Sequence, residues 1–225
     1  MQLINLSDLV VLHTGPLSVN TYIVPLDENR VFVVDSACCD YSRDSQIVTD
    51  FIKKNSLTPV AVVLTHGHFD HVAGLPALCS AFPSLAVYIH ANDAAFIGKD
   101  SCSAQETVLN DTEFEDFIPF VTNLPEPTKL LNEGDVLFSE WKVLHTPGHT
   151  KGSCCLYNSE KKLLLSGDTL FYGAYGRTDL AGGSDYEMAD SLKRLHTELP
   201  EDVLVFPGHG KSGFLLPQAG KFWGV

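Results

Sequence analysis

The chain lacks any run of about 18 apolar residues, so no membrane-spanning helix and no membrane partner are expected. It has no Cys-x-x-Cys spacing, which removes the zinc-ribbon and thioredoxin patterns. Its six cysteines (Cys38, Cys39, Cys79, Cys102, Cys154 and Cys155) are too few for a disulfide scaffold in 225 residues. Buried, reduced thiols in a cytoplasmic protein are expected instead. No Gly-x-Ser-x-Gly occurs, so a serine hydrolase has no support. Gly210-Lys211-Ser212 matches only the end of a phosphate-binding loop, because Val205 stands where that loop needs glycine. Bases are scarce, 15 Lys and Arg against 28 Asp and Glu, a net charge of −13. A negative field of that size disfavours nucleic acid as a partner. Met1 to Val11 carries no Lys or Arg ahead of a hydrophobic stretch and no small-residue cleavage site, so a signal peptide is not expected.

What is present is an ordinary globular composition, 44% apolar and 19% charged. The length suits one sizeable domain over residues 1–225. Within it we distinguish an N-terminal half to about residue 97, an acidic stretch over 98–127 and a C-terminal half from about 128. Short apolar runs at Val10–His13, Asn20–Leu26, Val31–Asp35, Val60–Leu64 and Ala86–Ile89 predict strands. Ile47, Val48, Phe51 and Ile52 predict one helix face, and Val72–Phe82 predicts a second helix with Pro76 near its start. Residues 98–127 hold seven acids and one base, with Pro119, Pro125 and Pro127 excluding a long helix. A cap over a site, with a short helix, and a solvated connector both stand as readings of it. Strands return at Trp141–Leu144, Ser153–Tyr157, Leu163–Leu165 and Val203–Phe206. Ser184-x-x-Glu187 predicts the start of a helix whose apolar face is Met188, Leu192, Leu195 and Leu199, closed by Pro200.

Four of the apolar runs end in residues able to bind a metal. Val60–Leu64 leads to His66, Val143-Leu144 to His145 and His149, Leu163–Leu165 to Asp168, and Val203–Phe206 to His209. Buried strands aim such loops rigidly. The densest group is His66-Gly67-His68-Phe69-Asp70-His71, three imidazoles and a carboxylate in six residues. Imidazole with carboxylate suits zinc, manganese or iron, and the absence of thiolate argues against a closed structural zinc site. Two metals need about six or seven ligands and a shared carboxylate. His149, Asp168 and His209 complete that number. His13, His90, His145 and His196, standing alone, are expected to be ordinary hydrogen-bonded histidines.

These motifs, His66-x-His68-x-Asp70-His71, Thr146-Pro147-Gly148-His149-Thr150, Gly167-Asp168-Thr169-Leu170-Phe171 and Pro207-Gly208-His209, resemble the metallo-β-lactamase superfamily in order and spacing. The resemblance implies an α/β fold, a four-layer αββα sandwich of two mixed sheets face to face with helices outside. It implies that His66, His68 and His149 bind one divalent metal, that Asp70, His71 and His209 bind a second, and that Asp168 bridges them. Zinc is the expected metal, with iron or manganese as alternatives. Asp35 matches an acidic position beside the site.

Val19-Asn20-Thr21-Tyr22 and Gly176-Arg177-Thr178-Asp179-Leu180 make the resemblance closest to type II glyoxalases (hydroxyacylglutathione hydrolases) and their single-domain relatives. This implies hydrolysis of a small-molecule thioester by a metal-bound hydroxide, with Asp70 orienting the water or carrying its proton. A basic residue at the position of Arg177 contacts glutathione in those enzymes, and a salt bridge to Asp179 is the competing reading here. Tyr175 and Phe69 are candidate pocket walls or core residues. The sequence departs from that pattern in two places. Gly210-Lys211 replaces the Glu-Tyr that follows the last ligand, and only 16 residues follow His209, so no helical C-terminal glutathione domain is expected. A mononuclear-iron persulfide (sulfur) dioxygenase and a non-catalytic metal-binding protein are the alternative functions. Monomer and homodimer both stand.

Overall fold

The computed structural model describes residues 9–221; the N-terminal reading above falls partly on residues 1–8, outside the described residues. The chain divides into two compact units, one of residues 9–64, 68–88 and 95–129, the other of 65–67, 89–94 and 130–221. No helix among the described residues is long and apolar enough to cross a membrane.

The first six-stranded sheet has the order β1 (Val10–Thr14), β2 (Val19–Pro25), β3 (Arg30–Val34), β4 (Thr58–Val63), β5 (Ala86–His90), β6 (Lys129–Leu131). It is mixed: β1/β2 and β2/β3 are antiparallel, β3/β4 and β4/β5 parallel. Parallel central strands are covered on both faces and so read as unbroken apolar runs. Val31, Phe32, Val33 and Val34 of β3 are all buried. Helix α1 (Ile47–Lys54) buries Val48, Thr49 and Ile52 and leaves Ile47 exposed.

The helix expected over Val72–Phe82 is present with a later start, and a separate short helix precedes it. Helix α2 (Phe69–Val72) stops, and α3 (Leu75–Ala81) starts afresh. The interruption is tertiary in origin. Gly74 N–H donates to the Ser36 carbonyl at 2.7 Å, and a Cβ on Gly74 would sit 2.3 Å from Ser36 Oγ. Pro76 stands in the first turn of α3, where its missing N–H costs nothing.

The acidic stretch is more ordered than a solvated connector. It holds α4 (Ser101–Leu109), whose Val108 and Leu109 are buried with Phe117 and Val121. Ser101 Oγ–H donates to the Val121 carbonyl at 2.9 Å and Gln105 Nε2–H to that of Phe96 at 2.9 Å.

The second sheet lies wholly in the second unit and comprises β7 (Val136–Leu137), β8 (Trp141–His145), β9 (Cys154–Asn158), β10 (Leu163–Gly167), β13 (Leu204–Pro207) and β14 (Phe214–Leu215). Its order is β14-β13-β10-β9-β8-β7. Only β10/β13 is parallel. The hairpin β11 (Leu170–Phe171) and β12 (Ala174–Tyr175) stands apart as a two-stranded sheet. Helix α5 (Asp185–Glu198) opens as expected, with Ser184 Oγ accepting the Glu187 N–H at 3.3 Å. Its Met188, Leu192 and Leu195 pack with Leu144, Leu164 and Val205 in the core of this unit.

All six cysteines are free thiols. Burial pushes the thiols of Cys38 and Cys155 up to about 11, so both stay protonated and inert near neutral pH.

Candidate metal centre

In the first unit, β3 is followed directly by Asp35, held in the left-handed region at φ +54°. Its Oδ2 accepts a hydrogen bond from His71 Nδ1 at 2.8 Å, both side chains being buried. The bond leaves His71 Nε2 as its other nitrogen, 3.6 Å from Asp70 Oδ2. Asp70 and His71 occupy successive positions of α2, and His68 caps its start in extended conformation. Phe69, between them, packs with ring centroids 5.6 and 5.1 Å from Phe114 and Phe117.

In the second unit, β8 leads through Thr146-Pro147-Gly148 to His149. Gly148 adopts φ +136°, and a Cβ there would lie 2.4 Å from Met188 N, so only glycine lets the loop approach the first turn of α5 so closely. Ser191 Oγ–H donates to the Pro147 carbonyl at 2.7 Å and Ser184 N–H to that of Gly148 at 2.9 Å, fixing the loop to α5. His149 Nδ1 lies 2.7 Å from the Arg177 carbonyl oxygen. A carbonyl only accepts, so Nδ1 carries the proton and Nε2 presents a lone pair. Asp168 Oδ2 sits 3.6 Å from that Nε2 and 3.5 Å from Nε2 of His209. The His66 ring meets the His149 ring edge-on at 4.8 Å, and its Nδ1 lies 3.1 Å from Thr65 Oγ1.

Three sets of ligand atoms lie within 4.8 Å of one another: His66, His68 and His149; His66, His71 and Asp168; Asp70, His71 and His209. All seven sequence-selected residues are thus represented, and among the described residues no other His, Cys, Asp or Glu joins such a set. The donor chemistry fits a divalent cation. Metal-bound histidine characteristically gives its other ring N–H to a carboxylate or a carbonyl, and His71 and His149 do so here.

One residue of this region carries no sequence signal. Asp93, fully buried, accepts hydrogen bonds from Gly67 N–H, Thr150 Oγ1–H and Gly152 N–H. Burial pushes its carboxyl up from the usual range, and those three bonds oppose the shift. It lies in a short Ala-Asn-Asp-Ala turn, and only the fold reveals its partners.

The isolated histidines behave as expected. His13 is exposed and His196 Nε2–H donates to the Gly220 carbonyl at 3.2 Å. His145 Nε2–H donates to the Lys151 carbonyl at 2.9 Å, and its ring stacks on His90 at 4.1 Å. Desolvation, with the His145 charge second, lowers His90 to about 4 from 6.5. Between those values the unfolded chain binds a proton that the folded chain does not, so stability falls as pH drops from about 6.5 through about 4. His90→Phe keeps a ring against His145 and removes the titration. Urea midpoints at pH 7, 5.5 and 4.5, with chelator present, are expected to fall less steeply for the variant. Parallel curves would remove His90 as the source.

The Arg177 guanidinium is exposed and engages both carboxylate oxygens of Asp179 at 2.7 Å. That pairing holds the Asp179 carboxyl down to about 2. Tyr175 is half-buried against the core of the second unit.

Residues 14–209 match the family model of the metallo-beta-lactamase superfamily. The chain belongs to this superfamily. Its mixed sheets and helices are those of the metallo-β-lactamase fold. A hydroxyacylglutathione hydrolase of Enterobacter sp. (strain 638) is 33% identical over 191 residues, 84% of this chain and 60% of that protein. The crystal structure of BLEG-1 B3 metallo-beta-lactamase superposes with a TM-score of 0.79 at 29% identity, over 94% of this chain and 95% of that one. That of TTHA1623 in a di-iron-bound form gives 0.74 at 32% identity, over 93% and 96%.

Proposed function

We propose that this superfamily member is a metal-dependent hydrolase of small-molecule thioesters of the hydroxyacylglutathione type, acting in the cytoplasm. The convergence of the seven ligand side chains within 4.8 Å sets carries the reading, and the Enterobacter relative supplies its substrate class. His66, His68 and His149 would hold one cation and Asp70, His71 and His209 a second, with Asp168 serving both. Bound there, two divalent cations supply Lewis acidity and a water ionised near neutral pH. Zinc is the assignment for this donor set. The di-iron relative makes iron the first alternative, with manganese after it.

The chain's own residues do the remainder. Asp35 and the Arg177 carbonyl fix the tautomers of His71 and His149, so each offers Nε2 without reorganisation. Asp70 takes the proton of the attacking water at its carboxylate. The leaving thiol departs as thiolate, with an ordinary pKa of about 8.5, so no strong general acid is required. Arg177, the exposed member of the proposed substrate contacts with Tyr175 and Phe69, recognises the glutathione moiety.

The test is elemental analysis of the purified protein beside a thioester and lactone panel, with oxygen consumption followed on a persulfide. Two cations and thioester turnover are the expected result. One iron with oxygen uptake and no hydrolysis would replace this reading by the dioxygenase, and a loaded protein inert to every substrate would end it. Arg177→Ala is expected to raise KM for glutathione thioesters about 3- to 10-fold, since Asp179 already engages the guanidinium, and to leave simple thioesters unchanged. Equal effects on both classes would make Arg177 a scaffold residue.

A further inference from the structure

Asp93 lies in the turn Ala91–Phe96 that follows β5, with its side chain sealed from solvent. Its two oxygens divide three donors. Oδ2 accepts Gly67 N–H at 2.9 Å and Thr150 Oγ1–H at 2.7 Å, and Oδ1 accepts Gly152 N–H at 2.7 Å. Gly67 stands between His66 and His68; Thr150 and Gly152 follow His149. A Cβ on Gly152 would lie 2.5 Å from the Asp93 carboxyl carbon, so the glycine is what admits the carboxylate. Ser153 Oγ closes the network, 2.8 Å from Thr150 Oγ1 and accepting Thr150 N–H at 3.0 Å.

We propose that Asp93 is a positioning residue for the metal centre: its carboxylate ties the His66 loop to the His149 loop and sets the spacing of those two imidazoles. The proposal rests on the reading above, in which His66 and His149 hold a cation. Two of the donors are backbone N–H groups in fixed positions, one on each oxygen. An Asn side chain has one acceptor oxygen and a donor NH₂. Either orientation sets that NH₂ against Gly67 N–H or Gly152 N–H, so one loop is released while volume and shape are kept. The requirement is for a carboxylate in particular. The spacing it holds is visible in the edge-on contact of the His66 and His149 rings at 4.8 Å.

The experiment is zinc affinity by competition with a chromophoric chelator, on Asp93→Asn, Thr150→Val and Asp44→Asn. Asp44 is the control. It accepts Gly15 N–H and Cys39 N–H at 2.7 and 2.9 Å, a comparable carboxylate clasp in the first unit that ties together two segments bearing none of the seven ligands. Asp93→Asn is expected to weaken zinc about 10- to 100-fold, and to speed hydrogen exchange at the Gly67 or Gly152 amide of the metal-free protein. Thr150→Val, which removes one of three bonds, is expected to weaken zinc less than Asp93→Asn does. Asp44→Asn is expected to lower the melting temperature with zinc affinity unchanged. Wild-type affinity in a folded Asp93→Asn, or the same affinity loss in Asp44→Asn at matched destabilisation, overturns the proposal. Should Asp93→Asn not fold, unchanged zinc affinity in Thr150→Val overturns it. A wild-type protein that binds no zinc, iron or manganese instead fells the underlying metal reading.

Discussion

Asp168→Ala is expected to lower kcat/KM for thioesters by about a thousandfold, about 4 kcal/mol of transition-state stabilisation, and to reduce the bound cations from two to one or none. The carboxylate is placed against histidines of both expected ligand groups, 3.6 Å from Nε2 of His149 and 3.5 Å from Nε2 of His209. In the proposed assignment its negative charge would offset the repulsion between two dications. Alanine removes the charge and the oxygens together. Asp168→Asn keeps one oxygen and the shape, so a smaller loss of cations is expected from it. The metal-free proteins are expected to melt within a few degrees of one another, because Asp168 is not part of the apolar core of the second unit. That comparison separates a lost ligand from a damaged scaffold. Elemental analysis and steady-state rates check the rest. Two cations and full turnover in Asp168→Ala would leave the shared-ligand assignment untenable.

How much of this was visible beforehand follows from how each element is stabilised. Strands β3, β4 and β10 could be recognised because nearly all of their residues on both faces are buried, which leaves an unbroken apolar run in the sequence. Strands β7, β11, β12 and β14 have two residues each, too few for any periodicity to register. Helix α5 announced itself through Ser184 and Pro200, local devices at its own ends. The break between α2 and α3 could not be foreseen, since it is set by Ser36, a residue nearly forty positions upstream. The ligands were recoverable because metal binding imposes residue type and spacing together. Asp93 was not, because its role is defined by donors 26, 57 and 59 positions away. Asp35 differs: the resemblance placed it beside the site, and the structure attaches it to His71.

Gly176→Ala is expected to destabilise the protein by about 3 kcal/mol and to weaken cation binding about 10- to 100-fold. A Cβ at this position would lie 1.8 Å from the Asp168 carbonyl oxygen and 3.3 Å from His149 Cγ. Backbone cannot rotate away from such a contact as a side chain can, so the turn bearing Asp168 or the segment bearing Gly176 has to move bodily. Movement of that segment also carries the neighbouring Arg177 carbonyl, which fixes the His149 tautomer at 2.7 Å. One methyl group therefore disturbs two of the proposed ligands by separate routes. Gly173→Ala is the informative partner. Gly173 has φ +66° and nothing within 4 Å of its would-be Cβ, so it tests left-handed strain alone, about 1 kcal/mol, with no effect on cation affinity. Urea denaturation of both metal-free variants and chelator competition on both loaded ones make the measurement. A Gly176→Ala protein as stable as Gly173→Ala, with wild-type affinity, would show that the Asp168 turn does not press on residue 176 as described, and the positions of Asp168 and His149 would lose that support.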